Sequence, residues 1–183
     1  MLGPVPGLSA QAETAAVPEG LRLDVVVEYY AVEEPTLNGV VTRLNQTRLE
    51  GPGAARSQGL TRYSILPQWR AMAGGGVCRA ENVEVDVNIT ITLPRWPDVR
   101  RRPYQEQVAW ETIETAIREH EFVHRDLTRA AAVRLLEQLQ GVEARGCRTL
   151  RQVVESRVAI EDHRLREAHE ELDRTTPSRL PIG

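Results

Sequence analysis

Between Val83 and Leu93 apolar and polar residues alternate without a break, and that run limits the fold more than any other feature of the chain. Val83, Val85, Val87, Ile89, Ile91 and Leu93 fall on one side of an extended segment; Glu84, Asp86, Asn88, Thr90 and Thr92 fall on the other. A period of two sustained over this length describes a strand with one face in a core and one in water. The chain must therefore build a sheet that is covered on one side only. Pro94 and Pro97 end the run, since neither can donate to a ladder.

Partners for this strand lie upstream. Leu21 to Val32 alternates at Leu21, Leu23, Val25 and Val27, and Leu60 to Arg70 carries Tyr63, Ile65 and Trp69; both have strand chemistry. Gly74-Gly75-Gly76 marks a turn, so Leu60 to Arg70 should pair antiparallel with Val83 to Leu93. Between the first two strands, Leu37, Val40, Val41 and Leu44 are spaced for a short helix within Pro35 to Leu49, with Gly51-Pro52-Gly53 ending it.

Beyond Pro103 the period changes to that of a helix. Ile113, Ile117, His120, Val123, His124, Leu127 and Ala131 share one stripe in a segment running from Tyr104 to Leu139. Pro103 suits a helix start and Gly141 a stop. A second helix is expected from about Arg148 to Leu172, with Leu150, Val154, Val158, Glu161, Leu165, Ala168 and Leu172 inward, before an irregular end at Pro177 and Pro181. The fold class is α+β: an antiparallel sheet in the N-terminal half packed on two long C-terminal helices. Residues 1–20, rich in Ala, Gly and Pro, read as a flexible tail, and residues 21–183 as a single domain. Ala10-Gln11-Ala12 resembles a signal-peptidase site, although the segment before it is short and lacks a basic start.

Composition narrows the function. A formal charge of -3 makes no electrostatic case for nucleic acid, and no apolar run approaches the ~20 residues of a membrane span. The chemistry sits in His120-Glu121-Phe122-Val123-His124. Histidines four apart on a helix project from one face and can grip one ion, and the acid between them can reach a water bound there. Zinc would bring such a water towards a pKa of ~7, within reach of a carboxylate base. The bland alternative is a pair of hydrogen-bonded core histidines with Glu121 solvated.

The surroundings of the motif resemble the bacterial predicted secreted zinc-dependent proteases of domain-of-unknown-function family 922, over roughly Leu23 to Ser178. The matching pieces are Leu49-Glu50-Gly51-Pro52, the strand from Cys78 ending in Leu93-Pro94-Arg95-Trp96, Trp110, the motif extended through Arg125-Asp126, Cys147, and Asp173-Arg174-Thr175-Thr176. The resemblance implies a zincin-like fold, zinc as cofactor, a peptide or protein substrate, and a secreted or periplasmic location. It favours a Cys78–Cys147 disulfide joining sheet to helices; closing so long a loop stabilises by roughly 4 kcal/mol in the chain-entropy model. The sequence departs from the family's tail, Tyr-Asp-x-x-Thr-x-His-Gly: Leu172, Ser178 and Arg179 replace its Tyr, His and Gly.

A catalytic zinc takes three protein ligands and a water. Asp173 is the provisional third ligand, on the strength of the family tail and its place at a helix end. His169, which shares a face with Asp173, and Glu161, on the inner stripe, are the alternatives. Glu161 could equally pair with Arg157, and His163 falls on the outer face. Tyr63 and Tyr104 are candidate oxyanion donors. Val83 to Leu93 is either an edge strand that a peptide could extend or a central strand with both edges occupied. The expected activity is zinc-dependent peptide-bond hydrolysis with Glu121 as general base and His120, His124 and Asp173 as ligands. The alternatives are an inactive metal-binding module and a zinc hydrolase of non-peptide amides. Arg100-Arg101-Arg102 reads as a solvated loop, and Trp69, Trp96 and Trp110 as core or interface residues.

Overall fold

The alternating run becomes the central strand of a mixed sheet. The computed structural model describes residues 17–47, 49 and 58–176. Its long strands are β1 (Leu21–Ala31), β2 (Leu60–Gly74) and β3 (Val77–Arg95), in spatial order β1-β3-β2, and a two-residue β4 (Glu143–Ala144) adds to β3. β2 and β3 form the expected antiparallel hairpin. Gly75 and Gly76 close it with φ of 60° and 80°, a backbone that side chains other than glycine resist. β1 is joined to β2 through a helix, α1 (Leu37–Gln46), and lies on the far side of β3, parallel to it from Leu21–Val85 to Ala31–Arg95. The sheet is thus not wholly antiparallel, and β3 has both edges occupied. That overturns the edge-strand reading of Val83 to Leu93.

One irregularity aligns the two halves of β3. Gln68 opposes Glu84 but Arg70 opposes Glu81, so β3 holds an extra residue there, with Asn82 at φ 49°. Such a bulge shifts the side-chain phase. Cys78 and Ala80 are buried before it and Val85, Val87, Ile89, Ile91 and Leu93 after it.

The helices cover the apolar face. α2 (Tyr104–Leu139) starts after Pro103 and ends before Gly141, whose φ is 67°; α3 (Cys147–Thr175) follows Gly146. One core cluster joins the odd-numbered β3 residues to Trp96, Trp110, Ile117, Ala132 and Leu136, with Val40 and Leu44 of α1. A second gathers Cys78, Ala80, Leu135, Leu139, Val142, Leu150 and Val154. From this cluster Cys78 reaches the exposed Cys147, their sulfurs at disulfide distance, 2.08 Å, fastening the start of β3 to the start of α3.

Two expectations change in detail. Val123 is 43% exposed, so the inward stripe of α2 passes through Glu121 and His124 instead. Arg102 is not a solvated loop residue: it lies over the Trp96 ring and donates to the Pro35 carbonyl at 2.7 Å. Trp96 and Trp110 are buried, with ring centroids 6.0 Å apart. Most of the expected tail, the Gly51-Pro52-Gly53 stop, and Pro177 and Pro181 lie outside the described residues. Among the described residues no helix is long and apolar enough to cross a membrane.

Candidate metal centre

Three donor atoms from two helices meet at one point. One turn of α2 separates His120 from His124, so both imidazoles leave the same side. α3 docks alongside through Leu150, Val154 and Leu165 and carries Asp173 to them. His120 Nε2 and His124 Nε2 are 3.1 Å apart, and Asp173 Oδ1 is 3.1 Å from the first and 2.9 Å from the second.

The donor set fits a metal ion. Ligand atoms about 2.0–2.1 Å from a tetrahedral zinc stand about 3.3 Å from one another, close to the spacing here. Two imidazoles and a carboxylate are borderline-soft ligands of the kind zinc accepts. A proton between the two Nε2 atoms satisfies one lone pair, whereas a cation satisfies all three donors at once. His120, His124 and Asp173 are a group that could hold a metal ion, and the provisional third ligand is the acid the fold brings to the histidines.

The electrostatics follow from this convergence. Burial alone would raise the Asp173 carboxyl, but hydrogen bonds from His120 and His124 outweigh it and hold the group well below the usual carboxylate range. The hydrogen bond to Asp173 in turn raises the His120 pKa, against burial. His120 Nδ1 is buried with no hydrogen-bond partner among the described residues.

The other candidates fall elsewhere. His169 Nδ1 lies 2.6 Å from His124 Nδ1, on the edge of that ring opposite the donor cluster, and cannot ligate the same ion in this arrangement. Burial first, then the charge of His124, lowers the His169 pKa to about 4. Glu161 is 2% exposed but serves an ion pair: Arg134 of α2 reaches its Oε1 at 2.7 Å, and Arg164 lies at 3.8 Å. The expected partner, Arg157, instead donates to the Gln138 carbonyl. His163 is exposed beside Glu167, as its outward position predicted. Tyr104 is 78% exposed, at the first residue of α2. Tyr63 stacks on His169 with centroids 4.9 Å apart, and burial first, then the charge of Asp162 on α3, raises its phenol above the ordinary value.

Glu121 is not solvated. It is 1% exposed, and the Thr61 hydroxyl donates to its Oε2 at 2.8 Å. Burial raises its pKa; Thr61 and the charges of His124 and His120 act in the opposite direction. Gly59 makes room for it, since a Cβ there would lie 2.7 Å from Cγ and Oε1 of Glu121. Nearby, Tyr30 donates to the Gln58 carbonyl at 2.6 Å, and burial, reinforced by the charge of Glu121, raises its phenol above the ordinary value.

Gly59, Thr61, Thr128 and Tyr30 are neighbours of this site that sequence reasoning did not single out. Nothing local marks them: a glycine before a strand, two threonines and a strand tyrosine are common, and only tertiary packing brings Gly59 and Thr61 to Glu121, Thr128 to His169 and Tyr30 to the Gln58 carbonyl.

The fold and the donor cluster together define an α+β domain with a helix-borne metal-type triad. Residues 27–178 match a family described as bacterial protein of unknown function, DUF922, and the chain belongs to it. No curated protein and no solved structure matches the chain.

Proposed function

We propose that this chain is a zinc metallopeptidase acting outside the cytoplasm. The observation that carries this reading is the meeting of His120 Nε2, His124 Nε2 and Asp173 Oδ1 within 3.1 Å, with a glutamate adjoining the first histidine. A zinc ion held there would supply Lewis acidity towards a carbonyl oxygen and acidify a water. Glu121, next to His120 in sequence and with its Oε2 held by Thr61, would be the group to take that water's proton. A carboxylate with a raised pKa is better matched to that task near neutral pH than an ordinary one. Thr61 fixes the Glu121 rotamer so that the base does not have to be ordered during the reaction.

Two features of β2 support an extended substrate. β2 pairs with β3 on one side, and no described strand pairs with its other side. Between β2 and α3 runs a groove of ≈ 570 Å³ whose walls include Tyr63, Ile65, Trp69, Val154, Val158 and Leu165. Backbone pairing along β2 would orient a polypeptide, with apolar side chains in the groove. This favours polypeptide over small non-peptide amides. The disulfide-distance cysteine pair supports an oxidising compartment.

One observation favours a second reading, a metal-binding module without hydrolytic activity: Glu121 is 1% exposed and is held by Thr61 rather than open to a cleft. Two measurements separate the readings. Metal analysis of wild type beside His120→Ala, His124→Ala and Asp173→Ala should show about one zinc per chain, lost or greatly weakened in each variant. Zinc-loaded protein should cleave an unfolded protein substrate, and Glu121→Gln should retain zinc and lose cleavage. Zinc binding without cleavage supports the module; full occupancy in Asp173→Ala removes it from the ligand set.

A further inference from the structure

We propose that His169 is a positioning residue that locks His124 in the tautomer able to bind metal. The inference rests on the metal-centre reading and goes beyond its ligand set.

The argument is a proton count around one ring. If His124 Nε2 gives its lone pair to a metal, the neutral imidazole must carry its proton on Nδ1. That N–H faces His169 Nδ1 at 2.6 Å, which must then accept. His169, accepting at Nδ1, must carry its own proton on Nε2. That second N–H faces Thr128 Oγ1 at 3.4 Å. The Thr128 hydroxyl has its own proton committed to the His124 carbonyl at 2.9 Å, which leaves its lone pairs for His169.

The circuit therefore runs from His124 to His169 to Thr128 and back to the His124 backbone. Every donor has an acceptor and no proton is shared. Thr128 is fully buried and water does not compete with it. The stack of Tyr63 on His169, with planes 25° apart, fixes the ring from the β2 side. In the reverse arrangement, with the proton on His124 Nε2, the same ring presents an N–H towards His120 Nε2 and Asp173 and no lone pair towards a cation. Partners of this kind that orient a metal-ligating histidine usually contribute about 10–100-fold in metal affinity.

The test compares zinc affinity, by competition with a chromophoric chelator, in wild type, His169→Phe and His169→Asn. Phe retains the ring and its stack on Tyr63 but has no acceptor. Asn places a carbonyl oxygen near the position of Nδ1. The expected result is about 10–100-fold weaker binding in the Phe variant, with most of the loss restored by Asn. Nitrogen-15 spectra of zinc-loaded wild type should show His169 protonated on Nε2 alone, an assignment that does not depend on either variant folding. Wild-type affinity in a folded His169→Phe, or a proton on His169 Nδ1 in the zinc form, overturns the proposal while leaving the metal centre standing. Failure of wild type to take up zinc overturns both.

Discussion

Gly59→Ala should damage this protein through a single contact. An added Cβ would sit 2.7 Å from Cγ and Oε1 of Glu121 and 3.0 Å from its Cδ, where ordinary contact begins at 3.4 Å. The glutamate cannot swing into water, because it is 1% exposed, so it must leave Thr61 and displace its neighbours. Losing a hydrogen bond to a charged group costs about 1.5–3 kcal/mol. Overpacking costs about 1–3 kcal/mol, and replacing glycine returns about 0.4–1 kcal/mol through the unfolded chain. Partial relaxation makes the first two overlap, so a net loss of about 2–3 kcal/mol is expected.

Urea unfolding of the metal-free protein measures this loss, and a double-mutant cycle isolates its cause. Glu121→Ala deletes every side-chain atom that the new methyl would strike. In that background Gly59→Ala should cost about nothing, leaving a coupling of about 2 kcal/mol between the two positions. Equal costs in both backgrounds would mean that Gly59 serves its own backbone rather than the glutamate, and the reasoning about a sealed base would fail.

Three further outcomes are expected. Reducing the Cys78–Cys147 pair, or replacing both cysteines by alanine, should lower stability by about 4 kcal/mol through the loop entropy of a separation of 69 residues; a loss below about 1 kcal/mol in urea unfolding would contradict the entropic account. Zinc affinity should fall with acidification: Asp173 raises the His120 pKa above its ordinary 6.5, so protons begin to compete for Nε2 of His120 above that pH and the loss approaches about tenfold per pH unit for that ligand. Chelator competition from pH 8 to 5 reads the slope, and a flat profile would exclude His120 as a ligand. In the metal-free protein, amide exchange should be faster beyond Leu165 in α3 than around Leu150 and Val154, and zinc should slow it; an unchanged pattern on zinc loading would contradict a site built on that helix end.

Periodicity carried most of the fold. The length of α2 and the phase of β3 were legible because many residues repeat the same preference and errors at single positions average out. The position of β1 was not legible. Its alternation says which face is buried but not on which side of β3 it lies, and a helix linking β1 to β2 permits the parallel arrangement. Val123 was misplaced because α2 also meets β2, which draws Glu121 inward towards Gly59 and Thr61 and turns Val123 out. The bulge at Asn82 was invisible as well, although it accounts for the alternation beginning only after Cys78 and Ala80.

Within the site, His120 and His124 were readable because their spacing is local, whereas the third donor depends on how α3 crosses α2. α3 is fastened at three heights: Cys147 to Cys78 at its start, Glu161 to Arg134 near its middle, and Asp173 to the two histidines near its end. Its fully buried apolar residues are Leu150, Val154 and Leu165, and none follows Leu165. The last turns, which carry His169 and Asp173, are therefore held by polar contacts with His124 and His120 and by the stack of Tyr63 on His169. A cation at that point would stabilise the end of the helix that supplies its ligand, so metal affinity and local folding are one equilibrium there. It follows that no tally of residues on α3 alone could choose among Glu161, His169 and Asp173. The middle fastening takes Glu161 out of the choice by giving it Arg134, and the far edge of the His124 ring takes out His169.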